Sequence, residues 1–235
     1  MPSGPERLRI GGLTRWTSID FPGRLAAVVF LQGCPWRCRY CHNPQLIPAR
    51  GEQEHTWDAV LDFLRSRQGL LDAVVFSGGE PTLQKTLPEA IEQVRALGFR
   101  IGLHSAGVKP KPFARVVKLT DWVGFDVKAL PEDAERVTGV AGSGAANWRS
   151  LDHLLASGVD YECRTTVHWH LFDADRLWRL ALRLRETGVE RFAVQWVRTA
   201  RMLDDSLPWA PPPLEQRELW EQLEALFPQF ILRGG

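Results

Sequence analysis

Three of the four cysteines, Cys34, Cys38 and Cys41, stand close together, with three residues between the first two and two between the second and third. The fourth, Cys163, lies far along the chain in an apolar segment and reads as a core thiol. A chain that uses cysteine sparingly and then clusters it points to metal or redox chemistry more than to a disulfide scaffold. Three thiolates on one loop can hold three corners of an iron–sulfur cube and leave one iron open, whereas four close it. A zinc site would add His42, but adjacent side chains such as Cys41 and His42 converge poorly on one tetrahedral ion. A disulfide with one spare thiol fits an intracellular chain poorly. The ranking is therefore cluster, then zinc, then disulfide.

The elements that must position these thiols follow a regular alternation. The apolar, β-prone run Arg24–Leu31 predicts a buried strand that delivers the chain into the cysteine loop. Further strands are expected at Ala73–Phe76, Arg100–Leu103, Trp122–Phe125, Tyr161–Val167 and Phe192–Trp196. Short strands or a hairpin are expected at Leu8–Trp16 and Phe230–Leu232. Between them, Thr56 and Asp173 read as N-caps, Thr86 with Glu89 as a capping box, and Asn147 as the cap of a helix carrying Leu151, Leu154 and Leu155. Phe113–Leu119 reads as a short helix, Gly139 to Ala146 as a loop, and 1–6 as a loose tail. Gly69, Gly98, Gly158 and Gly188 read as helix stops. Six strands alternating with helices imply parallel β/α units. A closed eight-unit barrel takes ~250 residues, so six units in 235 residues imply an incomplete, open barrel, with a doubly wound sheet as the alternative.

The polar candidates fall at the carboxyl ends of expected strands: the cysteine loop, Ser77–Glu80, His104–Gly107, Asp126 and Lys128, His168 and Gln195. Sites in β/α folds are built at that rim. Ser77, Gly78, Gly79 and Glu80 form a glycine turn that could bring a ligand against the backbone, with Glu80 at a helix start. Asp126 and Lys128 share one strand face and could be only a salt bridge.

The spacing C-x3-C-x2-C closing a strand resembles the signature of the radical S-adenosylmethionine (radical SAM) superfamily. The segments Thr17–Arg24 and Cys41-His42-Asn43-Pro44 are similar to those of its glycyl-radical-enzyme activases, above all the activating proteins of anaerobic ribonucleoside-triphosphate reductase. The resemblance spans about Gly11–Pro48 and Ser77–Pro81 and thins after Lys128. It implies a partial (β/α)6 barrel, an open side admitting a large substrate, and a 4Fe–4S cluster on Cys34, Cys38 and Cys41. It further implies that S-adenosylmethionine is held by Ser77, Gly78, Gly79, Glu80, Ser105, Asp126, Lys128 and His168. The activity implied is reductive cleavage of that cofactor, with the resulting radical taking a hydrogen atom from a glycine of a partner enzyme. An electron donor such as flavodoxin or ferredoxin is implied as well. Asp20 would contact the partner's glycine loop. His104-Ser105-Ala106-Gly107 departs from the Asn-Gly-like turn of the family, and Trp169 stands where a Pro-Gly-like turn is common.

Bulk properties exclude other classes. The net charge of +1 gives no field for nucleic acid or a membrane surface. The start has no apolar run of the secretory kind and no segment approaches the ~20 apolar residues of a membrane span, so the expectation is a cytoplasmic protein. One domain over 1–235 is expected, with an extension at 1–23, a β/α core at 24–196 and a C-terminal helix and tail at 208–235. The competing readings are a pyruvate formate-lyase-type activase, a 7-carboxy-7-deazaguanine-synthase-like enzyme acting on a small molecule, a pure electron carrier, and a zinc-bound interaction module.

Overall fold

Eight strands lie side by side in chain order in the computed structural model, which describes residue 4 and residues 7–51, 55–198, 200–214 and 216–234. The tail expected at 1–6 lies outside the described residues except for Gly4. β1 (Ile10–Thr17) runs antiparallel to β2 (Ala26–Leu31). From β2 onward every pairing is parallel, through β3 (Ala73–Gly78), β4 (Arg100–Ser105), β5 (Trp122–Asp126), β6 (Asp160–Val167), β7 (Arg191–Trp196) and β8 (Gln229–Arg233). The order β1 to β8 is linear, so β1 and β8 are the two edges and the barrel stays open between them. Parallel neighbours need a crossover on one side, and the helices supply it. They are α1 (Trp57–Arg65), α2 (Leu87–Ala96), α3 (Pro110–Val116), α4 (Ala134–Thr138), α5 (Ser143–Leu155), α6 (Ala174–Glu186) and α7 (Gln216–Leu226).

Strand alternation divides the buried side chains into two populations. One set, including Val29 and Leu31 of β2, Val74 and Phe76 of β3, Ile101 and Leu103 of β4, and Phe192 and Val194 of β7, joins the helices in the main core. The other set faces the concave side. Under β2 and β3 it is apolar, with Ala26, Val28, Ala73 and Val75 packed on Phe21 and Trp122. Towards β8 the same side becomes charged. Arg164 of β6 bonds Asp126 of β5, and Arg233 of β8 makes a two-pronged contact with Glu162 of β6. Gly124 makes room for this: a Cβ there would lie 2.7 Å from the Arg164 guanidinium.

The caps at Thr56 and Asp173 form as expected, accepting from Ala59 N and Arg176 N. Four expectations are corrected. Thr86 makes no side-chain cap bond; α2 starts instead with Pro88 in its first turn, where the missing N–H needs no partner. The short helix expected at Phe113–Leu119 begins earlier, at Pro110, and finishes as a 3-10 turn over Val117–Leu119. The loop expected at Gly139–Ala146 is shorter: α4 precedes it, and α5 starts at Ser143.

Asn147 is therefore not a cap but a fully buried residue inside α5. Its amide donates to Ala106 O at 2.7 Å and Asp126 O at 2.9 Å, and its oxygen accepts from Lys128 N at 3.1 Å. One side chain thus ties the ends of β4 and β5 to α5. Asn147→Asp keeps the shape but turns both donors into acceptors facing carbonyls. Such unsatisfied groups cost about 1–3 kcal/mol each, so urea unfolding at neutral pH is expected to show a loss of at least about 2 kcal/mol relative to wild type.

Candidate active site

The cysteine loop is fixed by backbone hydrogen bonds to its neighbours on both sides. Gly79 N donates to Leu31 O at 2.8 Å and Glu80 N to Gly33 O at 2.9 Å, which welds the loop to the end of β3. Gly33 N and Cys34 N donate to Leu46 O and Ile47 O. On the far side Arg37 N and Arg39 N donate to Thr138 O and Val137 O at the end of α4. Finally the segment after β7 crosses the loop: Asp204 N bonds Arg39 O, Asp204 accepts from Arg39 Nε at 2.8 Å, and Arg198 N donates to His42 Nε2. Since His42 accepts there, it serves as an anchor of the loop.

Gly78 and Gly79 owe their identity to this weld. A Cβ on Gly78, where φ is +116°, would lie 2.4 Å from Leu31 N and O. A Cβ on Gly79 would lie 2.5 Å from Gly33 O. The close approach that these glycines permit is made by the cysteine loop itself, where the sequence pattern suggested a ligand.

A cavity of about 270 Å³ opens at the carboxyl rim. Cys34, Cys38 and Cys41 line it together with Ser77–Glu80, Ser105, Asp126 and Lys128. The thiols are free and half-buried. Burial, with Glu80 next in effect, pushes the Cys34 thiol up to about 12. Such a thiol keeps its proton until a metal cation replaces it. Among the described residues no His, Cys, Asp or Glu side chains form a group of three that could hold one metal ion. The donor set, three free thiols on one cavity wall, fits a polynuclear iron–sulfur cluster with an open corner.

Glu80 is buried, and its carboxylate is already well supplied. Oε1 accepts from Thr82 N, Thr82 Oγ1 and Ser105 Oγ, and Oε2 accepts from Ala106 N at 3.1 Å. Burial raises its pKa, against the pull of these bonds. Oε2, with one donor, is the oxygen with capacity to spare. Ser105 thus serves Glu80 directly, and its Oγ also accepts from Gly107 N.

Asp126 sits between two cations. Lys128 Nζ donates to Oδ2 at 3.1 Å and Arg164 Nε to Oδ1 at 3.0 Å. Burial alone would raise the carboxyl, but Lys128 and then Arg164 outweigh it and hold it at about 2. Burial would likewise lower Lys128, yet Asp126 leads a set of partners that keep it well above the usual lysine range. Its ammonium has three donors, uses one on Asp126, and lies 5.8 Å from the Tyr40 ring. His104 donates from Nε2 to Asp20 O at 2.9 Å; burial, reinforced by Arg164, pushes it down to about 3, so it is neutral.

One sequence-predicted residue is placed elsewhere. His168 does not line this cavity. β6 ends at Val167 and the chain turns there, with Leu171 N and Phe172 N both bonding His168 O, so alternation stops before residue 168. Arg164 and Thr166 occupy the β6 positions on the cavity wall. Sequence reasoning passed over both, and over Tyr40 and Thr82, and read Asn147 only as a helix cap. The signal for the β6 pair was present, since Glu162, Arg164 and Thr166 alternate with Cys163, Thr165 and Val167.

The sequence model of the radical SAM superfamily matches residues 28–184, which contain most of β2, the cysteine loop, and β3 to β6 with the helices between them. The chain belongs to the radical SAM superfamily. Members use a 4Fe–4S cluster with S-adenosylmethionine, and the chain is an enzyme of that class. It is 27% identical over 241 residues to a candidate glycyl-radical enzyme activating enzyme of Methanocaldococcus jannaschii, covering 95% of each chain. It is 33% identical over 137 residues to the pyruvate formate-lyase-activating enzyme of Clostridium pasteurianum, covering 56% of this chain and 57% of that one. In fold it is similar to SuiB of Streptococcus suis bound to its precursor peptide SuiA, with a TM-score of 0.67 at 14% identity over 88% of this chain. The match spans 48% of SuiB, so the chain corresponds to about half of that protein. Among the described residues no helix is long and apolar enough to cross a membrane.

Two outcomes are expected from this geometry. Gly79→Ala forces a Cβ onto Gly33 O and should cost about 1–3 kcal/mol in urea unfolding, together with a loss of iron retained after anaerobic reconstitution. For Asp126 the folded pKa lies below the unfolded value of 3.8. Its stabilisation is therefore present above that value and lost as pH falls through the folded one. The stability advantage of the cluster-free wild type over Asp126→Asn should shrink by about 2 kcal/mol between pH 5 and pH 2.

Proposed function

We propose that this chain is a glycyl-radical-enzyme activase whose partner is an anaerobic ribonucleoside-triphosphate reductase. Cys34, Cys38 and Cys41 would hold three irons of the cluster. The spare capacity of Glu80 Oε2 would receive the ammonium of the S-adenosylmethionine methionine, and the free donors of Lys128 its carboxylate. Ser77, Gly78 and Gly79 would supply the backbone edge beside it. Bound there, the cluster and S-adenosylmethionine would supply one-electron reductive cleavage and hydrogen-atom abstraction. The chain's own residues bind, orient and exclude water, the share a protein usually contributes to cofactor chemistry. Ser105 and Thr82 orient Glu80, while Asp126 keeps Lys128 charged and Arg164 fixes Asp126.

The observation that carries the reading is the continuity of two spaces. The cysteine cavity shares Asp20, His42, Arg164, Thr166 and Gln195 with a larger space of about 610 Å³. That space runs from Ile19 and Pro22, between β1 and β2, across to Arg233 and Gly234 at β8. It lies along the open side of the barrel, where a peptide segment of a large partner can reach the cofactor. The relatives named for glycyl-radical activation support the partner class. The similarity of Thr17–Arg24 and Cys41–Pro44 to reductase activating proteins supports the choice of reductase. A flavodoxin or ferredoxin would deliver the electron, in the cytoplasm.

The test mixes the reconstituted chain, S-adenosylmethionine and a one-electron reductant with anaerobic ribonucleoside-triphosphate reductase and, separately, with pyruvate formate-lyase. The expected result is a glycyl-radical doublet in the electron paramagnetic resonance spectrum of the reductase. A doublet on the lyase alone would move the partner, and cofactor cleavage with neither radical would overturn the activase reading. Lys128→Met should leave iron content unchanged and weaken S-adenosylmethionine binding at least tenfold, since a hydrogen bond to a charged group is worth about 1.5–3 kcal/mol. Unchanged affinity would remove Lys128 from the site.

A further inference from the structure

A third cavity, of about 150 Å³, lies on the outer face of the sheet beside the ends of β6 and β7. Its floor is Val167 and Trp196, which pair in register, and Trp169, Trp209 and Pro212 complete its walls. His168 lines this space, is 2% exposed, and has no hydrogen-bond partner at Nε2 among the described residues. Its other nitrogen, Nδ1, accepts from His170 N at 3.2 Å. A neutral imidazole that accepts at one nitrogen carries its proton on the other, so Nε2–H is a buried donor with nothing to donate to. Burial, followed in effect by His170 and Arg39, lowers the pKa of His168, so the neutral form holds at physiological pH. Trp196, at the boundary between this cavity and the slot along the open barrel, has a buried indole Nε1–H that also has no partner among the described residues. Indole N–H can only donate. Neither residue lines the cysteine cavity.

Two orphaned donors in one native structure call for an acceptor. A space that would hold about five waters at ~30 Å³ each, walled by indole rings, suits a small apolar body carrying oxygen. The Arg39 guanidinium makes the neighbourhood favourable to negative charge, and the nearby acid Asp204 is occupied by Arg39 and Ser206. We infer that this cavity is a carboxylate-binding site, in which His168 Nε2–H and Trp196 Nε1–H donate to the two oxygens of a carboxylate whose short apolar body packs on Trp169 and Trp209. The roof of the site, Trp209 to Pro212, continues the same segment that crosses the cysteine loop at Arg198 and Asp204. The carboxylate is that of a free small acid or of the carboxyl terminus of a peptide.

Titration calorimetry and tryptophan fluorescence on the anaerobically reconstituted chain test this directly. The probes are isobutyrate, its neutral isostere isobutyramide, and acetyl-Ala-Val with a free or an amidated end. Saturable binding of a free carboxylate is expected, at least roughly tenfold tighter than the matched amide. Tighter binding of the free-ended peptide than of isobutyrate identifies a peptide terminus as the source, and the reverse identifies a free acid. His168→Asn keeps an acceptor for His170 N while removing the Nε2 donor, and Trp196→Phe removes the indole donor. Each should weaken binding roughly tenfold. No saturable binding by either acid means that water alone fills the cavity and overturns the inference, as does binding that neither substitution weakens.

Discussion

The weld between the cysteine loop and the end of β3 is the constraint on which the rest of the site depends. The loop has little secondary structure of its own, and its thiols are placed by what its backbone bonds to. Two hydrogen bonds, from Gly79 N and Glu80 N, bring the loop against β3 at a distance that no side chain at 78 or 79 would allow. The same contact fixes Glu80 beside Cys34, and Glu80 in turn collects Thr82, Ser105 and Ala106. One backbone junction therefore sets the relation between the proposed cluster ligands and the carboxylate beside them. The bonds to α4 and to the segment after β7 hold the other side of the loop.

The second organising feature is the change of polarity across the concave face of the sheet. Near β2 and β3 that face is closed by a small apolar core. Near the open edge it carries Lys128–Asp126–Arg164 and Glu162–Arg233. Buried pairs of this kind are poor evidence of stability, since desolvation opposes the attraction. Their value here is geometric. Asp126 spends both oxygens holding two cations at the cavity wall, and Lys128 keeps its charge and two free donors as a result.

Much of this was legible in the sequence, for identifiable reasons. The strand runs are apolar and bounded by glycines and caps, so the β/α alternation and the open barrel could be counted. The polar groups at strand ends could be located because a parallel sheet gathers them at one rim. Errors arose where a local signal had two meanings. Asn147 looks like a cap, but tertiary contacts from two strand ends hold it inside a helix. His168 follows the last residue of β6, and the turn that begins there takes its side chain to a different cavity. The two glycines signal close approach, while the sequence does not say what approaches. Arg164 was concealed because its partner, Asp126, is on another strand, although the polar alternation of β6 marked its face.

The most direct test of the central claim is made on the chain alone, reconstituted without oxygen. Iron and sulfide are counted, the cluster is reduced, and its paramagnetic resonance spectrum is recorded before and after S-adenosylmethionine is added, with release of 5′-deoxyadenosine measured alongside. The account requires about four irons and four sulfides per chain, a spectrum that changes on cofactor addition, nucleoside release, and loss of all of these when Cys34, Cys38 and Cys41 are replaced together by alanine. Tightly bound zinc with no nucleoside formed, or a cluster that survives the triple replacement, would contradict it.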